Sequence, residues 1–162
     1  MNHFKALSNQ RGVTLIELIF TILLMGFLSY MAIPALSGYI DSTNLDVVSR
    51  QVEIDFRYAQ TLSMATGDSY GVKITSATEY EVYNVGTGNA VDSPYNRDPM
   101  QYDLSKKYNG VEFQLGAYPM DIQFDGNGVA NNATTMIIPI VNAEGDSDTL
   151  QVQPETGSVE RL

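Results

Sequence analysis

A long apolar segment near the N-terminus dominates the hydropathy pattern of the chain. Residues 13–40 carry a single charged side chain, Glu17. As a helix this segment would be about 40 Å long at 1.5 Å per residue, and the hydrocarbon core of a bilayer is roughly 30 Å thick. The pattern therefore predicts a membrane-spanning helix. Glu17 stands out, because a carboxylate inside a bilayer costs about 2.5–3.5 kcal/mol on insertion scales and usually has an assigned partner.

Beyond Asp41 the pattern becomes amphipathic, with apolar residues recurring every three or four positions. Charged residues, including Glu53 and Arg57 at i,i+4 spacing, lie largely off this apolar stripe. We predict that the helix continues through Pro34, with a kink or local loosening there, and stops at Gly67. The stripe comprises Leu45, Val48, Val52, Phe56, Ala59 and Leu62.

Short β-rich runs separated by turn residues follow Gly67 and predict an antiparallel head. Pro139 suggests that the most apolar run is an edge strand or contains a bulge, because proline has no N–H to donate. The polar insert 86–109, with several tyrosines, is predicted as a long loop, a feature that in compact domains tends to be functional or disordered. The predicted strands are 70–74, 80–85, 111–115, 122–124, 134–141, 149–153 and 158–162.

Composition narrows the chemistry that the chain could carry out. The sequence of 162 residues contains no cysteine, and its single histidine is His3. Without residues 1–12, the chain has no His-based general base, no thiol nucleophile and almost no means of binding zinc. The remaining routes to catalysis are carboxylates, Lys, Tyr, Ser or Thr, and their scatter through turns indicates no enzyme site. We therefore expect a protein that is not an enzyme and needs no cofactor.

Charge bears on partners and on orientation. Removing residues 1–12 takes away Lys5 and Arg11 and leaves seven basic against nineteen acidic side chains, a net charge of −12. Only Lys106 and Lys107 are adjacent, which argues against nucleic acid as the main partner. The two cations before the apolar segment, and Asp41 after it, place residues 1–12 in the cytoplasm by the positive-inside rule.

The segment that joins the polar leader to the apolar run resembles the processing signal of type IV pilins and type II secretion pseudopilins. Its residues are Gly12-Val13-Thr14-Leu15-Ile16-Glu17. A secretory signal peptide, the alternative, would be cut after its apolar region rather than before it. The resemblance implies that prepilin peptidase cuts after Gly12 and that Val13, where the family commonly has Phe, is then N-methylated. Pro34 matches a proline common at this distance from the cut.

The same resemblance implies an assembly role for Glu17. After cleavage Val13 would carry an α-amino group, which is cationic at neutral pH. In the family this Glu pairs with the N-terminal amine of a neighbouring subunit, and two opposite charges in lipid cost less together than apart. The alternative is that Glu17 is a tolerated polar residue near the lipid headgroups.

Three later segments are similar, more loosely, to minor pseudopilins of the H class and to FimT-like pilins. They are the helix end 55–65, the turn in 122–128 and the closing hairpin in 152–159. The resemblances together imply an α+β, pilin-like fold, in which a long N-terminal helical spine packs on an antiparallel β-sheet head. The expected divisions are a cleaved leader 1–12, a membrane and assembly helix 13–40, the amphipathic half of the spine 41–67, and a head 68–162 that includes the loop 86–109.

The function implied is that of a minor pilin or pseudopilin, a structural subunit of a type II secretion pseudopilus or type IV pilus that aids assembly initiation or tip formation. Its partners would be other pilins, prepilin peptidase, the inner-membrane assembly platform and possible secreted cargo. Its place would be the bacterial inner membrane, as a single-pass protein with its head outside the cytoplasm, and then the filament. A ligand- or DNA-binding tip pilin of an adhesion or uptake pilus stays open, and a membrane-anchored enzyme is the least favoured alternative. The acidic turns 125–127 and 144–148 raise a calcium hypothesis, although neither has EF-hand spacing.

Overall fold

A computed structural model describes residues 13–108 and 110–162. The predicted leader 1–12, including the cleavage residue Gly12, lies outside the described residues. The chain divides into two compact units, one that ends at Ser37 and one that comprises Gly38–Leu162. Within the described residues, no helical segment is both long enough and apolar enough to cross a bilayer.

Helix α1 comprises Leu15–Thr66. It continues through position 34 without interruption, as predicted. Gly67 ends the helix in the left-handed conformation, with φ 77°, and its N–H donates to the carbonyl of Ser63 at 2.9 Å. Glycine adopts this conformation without a steric penalty, so the predicted stop is the one that the structure shows.

We call residues 15–40 the first part of α1 and residues 41–66 the second part. The predicted apolar stripe on the second part faces the core of the unit Gly38–Leu162. Val48, Val52, Phe56 and Ala59 are fully buried, and Leu45 is nearly so. The predicted i,i+4 pair forms beside the stripe, with 2.7 Å between Arg57 Nη2 and Glu53 Oε1. Burial of the stripe supplies most of the stability of this part of the helix, because isolated helices gain little from propensity alone.

Four strands form a first antiparallel sheet in the order β3-β2-β1-β5. Strand β1 is central and pairs Val72 with Val82 of β2 on one side and with Ile122 of β5 on the other. These three residues are buried, as the alternation of apolar and polar positions requires. The strands are β1 Tyr70–Ile74, β2 Glu79–Asn84, β3 Gln101–Asp103 and β5 Met120–Phe124.

The other four strands form a second antiparallel sheet in the order β4-β6-β7-β8. The predicted closing hairpin forms between β7 and β8, with Val152 opposite Val159 and with Gly157 at φ 63° in the turn. The antiparallel β-rich head is therefore confirmed, but its strands are shared between two sheets. The strands are β4 Glu112–Phe113, β6 Met136–Val141, β7 Ser147–Val152 and β8 Val159–Arg161.

Two sequence expectations need correction. The predicted long loop 86–109 contains β3 and a short helix, α2 Leu104–Lys107, because Met100 and Leu104 bury their apolar side chains in the core. Strand β6, which contains Pro139, is not an edge strand, since it lies between β4 and β7. Pro139 accepts a bond from the N–H of Gln114 at 2.9 Å but has none to return, and β4 ends at the preceding residue, Phe113.

Candidate functional site

The start of α1 is organised by Thr14. Its hydroxyl Oγ1 accepts a hydrogen bond from the N–H of Glu17 at 3.3 Å, and its carbonyl accepts one from Leu18 at 3.1 Å. Thr14 is thus the N-cap of the helix, and Glu17 occupies the third helical position. The spacing Thr-x-x-Glu is that of a capping box, a signal that the sequence reasoning missed.

Val13, the residue predicted to follow the cleavage site, and Glu17, a predicted assembly residue, both face outward. Val13 is 70 % exposed, and Glu17 is exposed in the first turn of α1. Among the described residues the Glu17 carboxylate has no hydrogen-bond or ion-pair partner. Its position favours a negative charge, since the positive end of the helix dipole lies there. The assembly roles of Glu17 and Pro34 stay predictions.

The apolar side chains before and after Glu17 are also exposed. Leu15, Phe20 and Phe27 are 76 %, 67 % and 60 % exposed. An unbroken apolar surface of this kind is rare on a soluble monomer and marks a surface that contacts a membrane or another protein. The other large apolar residues of the segment that are exposed are Ile16, Leu18, Ile19, Ile22, Leu23, Leu24, Met25, Leu28 and Met31.

In the unit Gly38–Leu162, the closing hairpin is fastened to α1 by polar contacts. Arg57 Nη2 donates to the carbonyl of Val159 at 2.9 Å. Arg161 Nη1 lies 2.7 Å from Asp46 Oδ1 and 3.4 Å from Asp148 Oδ2. The Arg50 and Arg161 guanidinium groups lower the pKa of Asp46. These contacts tie the last strand to the helix.

A buried carboxylate lies between α1 and β2. Asp55 is 2 % exposed and accepts hydrogen bonds from the Tyr80 hydroxyl at 2.8 Å and from Gln51 Nε2 at 2.9 Å. Burial raises the pKa of Asp55 to about 6, although the two donors act in the opposite direction. The same burial, with the charge of Asp55, raises the pKa of Tyr80 well above its usual value.

The acidic turns of the calcium hypothesis use their oxygens within the chain. Asp125 Oδ1 accepts from the N–H groups of Asn127 and Val129, each at 2.9 Å. Asp146 Oδ2 accepts from Asn142 Nδ2 at 3.0 Å. In the part of the chain that the structure describes, no group of three or more His, Cys, Asp or Glu residues is arranged to hold a metal ion.

A groove of about 480 Å³ lies between α1, the loop that precedes β3, β3 itself and α2. We call it the tyrosine groove, because four tyrosines, Tyr80, Tyr95, Tyr102 and Tyr108, line it. The Tyr80 ring packs beneath it, with its centroid 4.9 Å from that of Tyr102. The residues that define the groove are Gln51, Tyr95, Asp98, Tyr102, Lys107 and Tyr108.

Comparison with known proteins gives one family model and one solved structure. The model described as the prokaryotic N-terminal methylation motif matches residues 7–33. The crystal structure of the type IV minor pilin FimU from Pseudomonas aeruginosa has a TM-score of 0.56 and 11 % sequence identity, and the match covers 76 % of this chain and 92 % of that one. No curated protein matches the chain in sequence at a significant level.

The two findings concern different properties of the chain. The motif match covers the segment whose residues Gly12–Glu17 first indicated a pilin. The structural match at this low identity concerns the fold, a long N-terminal helix followed by an antiparallel β-rich head. The chain therefore carries a match to the prokaryotic N-terminal methylation motif and has a fold similar to that of a type IV minor pilin.

Proposed function

We propose that the chain is a minor subunit of a type IV pilus or type II secretion pseudopilus, that it is cut after Gly12, and that it takes part in initiation or tip formation. The observation that carries the proposal is the start of α1, where a capped helix presents an exposed carboxylate, Glu17, ahead of an exposed apolar surface. A chain that left this surface in water would aggregate, so the surface needs lipid or other subunits. The matched FimU is described as a type IV minor pilin.

The membrane step follows from the same segment. Residues 13–40 contain one charge, and Lys5 and Arg11 precede them. We infer a single-pass precursor in the inner membrane, with its leader in the cytoplasm, where prepilin peptidase and the assembly platform act on it. In the filament the apolar side chains of residues 15–31 pack against neighbouring helices in place of lipid. The same surface is therefore covered in the membrane and in the filament.

In this proposal, Glu17 sets the stagger between the α1 helices of neighbouring subunits. After cleavage the Val13 ammonium and the Glu17 carboxylate lie four residues apart at the start of the helix, and both face outward. Two staggered helices can then pair the amine of one subunit with the carboxylate of the next. Leaving either charge unpaired in an apolar filament costs several kcal/mol, so the pair selects one stagger over others. Pro34 and Gly38 would allow α1 to loosen locally during assembly.

The experiment that tests the proposal compares Glu17→Ala with wild type in native membranes. Intact mass and N-terminal sequencing should give a chain that starts at Val13 and is heavier by one methyl group, in both proteins. Shearing and fractionation should find wild type in filaments and the variant in the membrane. The matched control is Glu53→Ala, which removes a carboxylate from the same helix at the cost of only a few tenths of a kcal/mol.

Two results would contradict the proposal. A chain that still begins at Met1, or is cut well after Ile40, would exclude prepilin processing. Equal incorporation of the Glu17→Ala and Glu53→Ala variants into filaments would show that the charge at position 17 has no assembly role.

The sequence left three alternative functions open, namely a DNA-binding tip pilin, a ligand-binding tip pilin and a membrane-anchored enzyme. Each would give the head a different activity. A DNA-binding tip pilin is disfavoured by the net charge of −12 without the leader, which repels a polyanion. A membrane-anchored enzyme would need a reactive constellation, and the perturbed carboxylate Asp55 is buried and occupied by Tyr80 and Gln51. A tip pilin that binds an uncharged ligand is favoured by one specific observation, the tyrosine groove.

A further inference from the structure

The tyrosine groove has the size and wall chemistry of a ligand site. Its volume of about 480 Å³ lies within the range of roughly 300–1,000 Å³ found for small-molecule sites. Four of its residues are tyrosines, which combine a flat apolar face with a polar tip. Tyr80 is buried, whereas Tyr95, Tyr102 and Tyr108 are accessible to a ligand. All of the groove lies in the unit Gly38–Leu162.

Tyr95 is displayed by a closed loop. Its side chain is 92 % exposed, which is unusual for a large aromatic ring. The loop is held by bonds from Ser93 N–H to the Asp98 carbonyl at 2.8 Å and from Arg97 N–H to the Ser93 carbonyl at 3.0 Å. Arg97 has φ 62°, a left-handed conformation that is uncommon for a residue other than glycine. These features hold the backbone that carries Tyr95, so little backbone freedom is lost when a ligand binds.

The wall of the groove also carries unused hydrogen-bonding groups. Among the described residues, the hydroxyls of Tyr95, Tyr102 and Tyr108 have no hydrogen-bond partner, and neither has Gln51 Oε1. Burial raises the pKa of Tyr102 to about 12, so this hydroxyl stays protonated and available as a donor at neutral pH. The groove thus presents several donors and acceptors beside one exposed ring, that of Tyr95, and two half-buried rings, those of Tyr102 and Tyr108.

The charges at the groove are few and of both signs. Asp98 accepts a hydrogen bond from Asn96 Nδ2 at 2.6 Å. The Lys107 Nζ lies 5.0 Å from the centre of the Tyr108 ring. Lys106, on the next position of α2, is paired with Asp103 at 3.2 Å. This arrangement gives no cationic cluster for phosphate or for a nucleic-acid backbone.

The free edge of β3 is poorly suited to binding an extended peptide as an added strand. The N–H of Gln101, which a strand pairing with β3 would need, already donates to the Pro99 carbonyl at 2.8 Å. Asp103 ends the strand after three residues and caps α2 through its bond from Ser105 N–H. The edge is therefore too short and too occupied for extended pairing.

We propose that the tyrosine groove binds a short neutral oligosaccharide. A sugar ring has apolar C–H faces that stack on tyrosine rings, and its hydroxyls both donate and accept hydrogen bonds, as do the groups on this wall. The site does not depend on the assembly role proposed above, because its residues all come from the head and from the second part of α1. It would let an assembled subunit attach to a glycan surface.

The test uses the full processed chain in micelles of a zwitterionic detergent, since a maltoside headgroup would itself compete. The probe is an array of short neutral oligosaccharides, with titration calorimetry of any that bind. Tyr95→Ala should weaken binding roughly tenfold or more, as loss of an aromatic anchor does. Tyr102→Phe, which keeps the ring and removes the hydroxyl, should weaken it severalfold. The matched control is Tyr39→Ala, which removes a 72 % exposed tyrosine of α1 outside the groove and should change nothing.

Any of four other results would overturn the proposal. In the first, the folded wild-type chain binds no neutral oligosaccharide at millimolar concentration. In the second, the Tyr95→Ala and Tyr102→Phe variants bind as the wild type does. Tyr95-dependent binding of single-stranded oligothymidine in place of sugars would make the groove a base-stacking site. Tyr95-dependent self-association in sedimentation experiments, without sugar binding, would make it an interface between copies. None of these results would alter the outcome of the Glu17→Ala experiment, so failure of the two proposals is distinguishable.

Discussion

The first and second parts of helix α1 use similar apolar residues in opposite ways. Phe20 is 67 % exposed, whereas Phe56 is fully buried. The first part is apolar on every side, and the second is apolar on one stripe that the two sheets of the head cover. Fully burying a Phe side chain stabilises a fold by about 1.5–3 kcal/mol, and only the second part gains this within its own chain.

The comparison shows where the fold of this chain is self-sufficient and where it is not. The head satisfies its own core and fastens its closing hairpin to the helix through Arg57 and Arg161. The first part leaves its apolar side chains exposed. Under the proposed function, a subunit that leaves a membrane and enters a filament would use both kinds of surface on one helix.

The largest effect should come from truncating a phenylalanine on each side of this division. Phe56→Ala should lower the free energy of unfolding of the head by about 3–5 kcal/mol, because it opens a cavity in a filled core. Phe20→Ala should change it by less than about 0.5 kcal/mol, as exposed substitutions do, but should reduce incorporation into filaments. Denaturant unfolding of the chain in micelles, beside filament yield, would measure both. Equal losses of head stability would remove the distinction.

A somewhat smaller effect should be seen in the pH dependence of the stability of the head. The pKa of Asp55 is about 6 in the folded chain against 3.8 for the ordinary group. A carboxyl with a raised pKa stabilises the fold below pH 3.8, and this contribution is lost as the pH rises to about 6. The loss amounts to about 3 kcal/mol. Asp55→Asn, which can keep a bond to Tyr80, should not show it.

The measurement for Asp55 is the difference in unfolding free energy between variant and wild type at several pH values. The difference should move in favour of Asp55→Asn between about pH 4 and pH 7 and stay constant above. Parallel curves for the two proteins would mean that Asp55 does not titrate in this window.

The smallest effect on stability should come from replacing single glycines by alanine. A Cβ at Gly157 would collide with the carbonyl of Gly128 and lie 2.6 Å from Gln60 Nε2, whereas Gly88 and Gly26 have open space. Gly157→Ala should destabilise the head by about 1–3 kcal/mol, and more than Gly88→Ala, which shares only the positive φ. Gly26→Ala should be neutral or stabilise the helix by up to about 1 kcal/mol. Thermal melting of the three variants would rank them, and a Gly157→Ala variant as stable as Gly88→Ala would contradict the predicted contact.

Local signals in the sequence were sufficient for most of the secondary structure. The stripe from Leu45 to Leu62 and the stop at Gly67 predicted the second part of α1, because helix periodicity and glycine conformation are local properties. Strands are harder to delimit from local signals. The Gly, Pro and Tyr residues of the insert 86–109 predict a loop, whereas the structure has β3 and α2 within it. Met100 and Leu104 order this segment through contacts with distant residues, which no local pattern reveals.

The sequence alone predicted a pilin-like chain, because the resemblance rests on the short segment Gly12–Glu17 and the apolar run after it, and a local motif is recognised without a fold. It also determined which face of the second part of α1 is buried. Only the tertiary structure decided that the strands form two sheets, that Pro139 lies in an interior strand, that Asp55 is buried against Tyr80, and that Tyr95, Tyr102 and Tyr108 share one groove. These features depend on residues far apart in the chain, and their meeting is governed by packing rather than by neighbouring sequence.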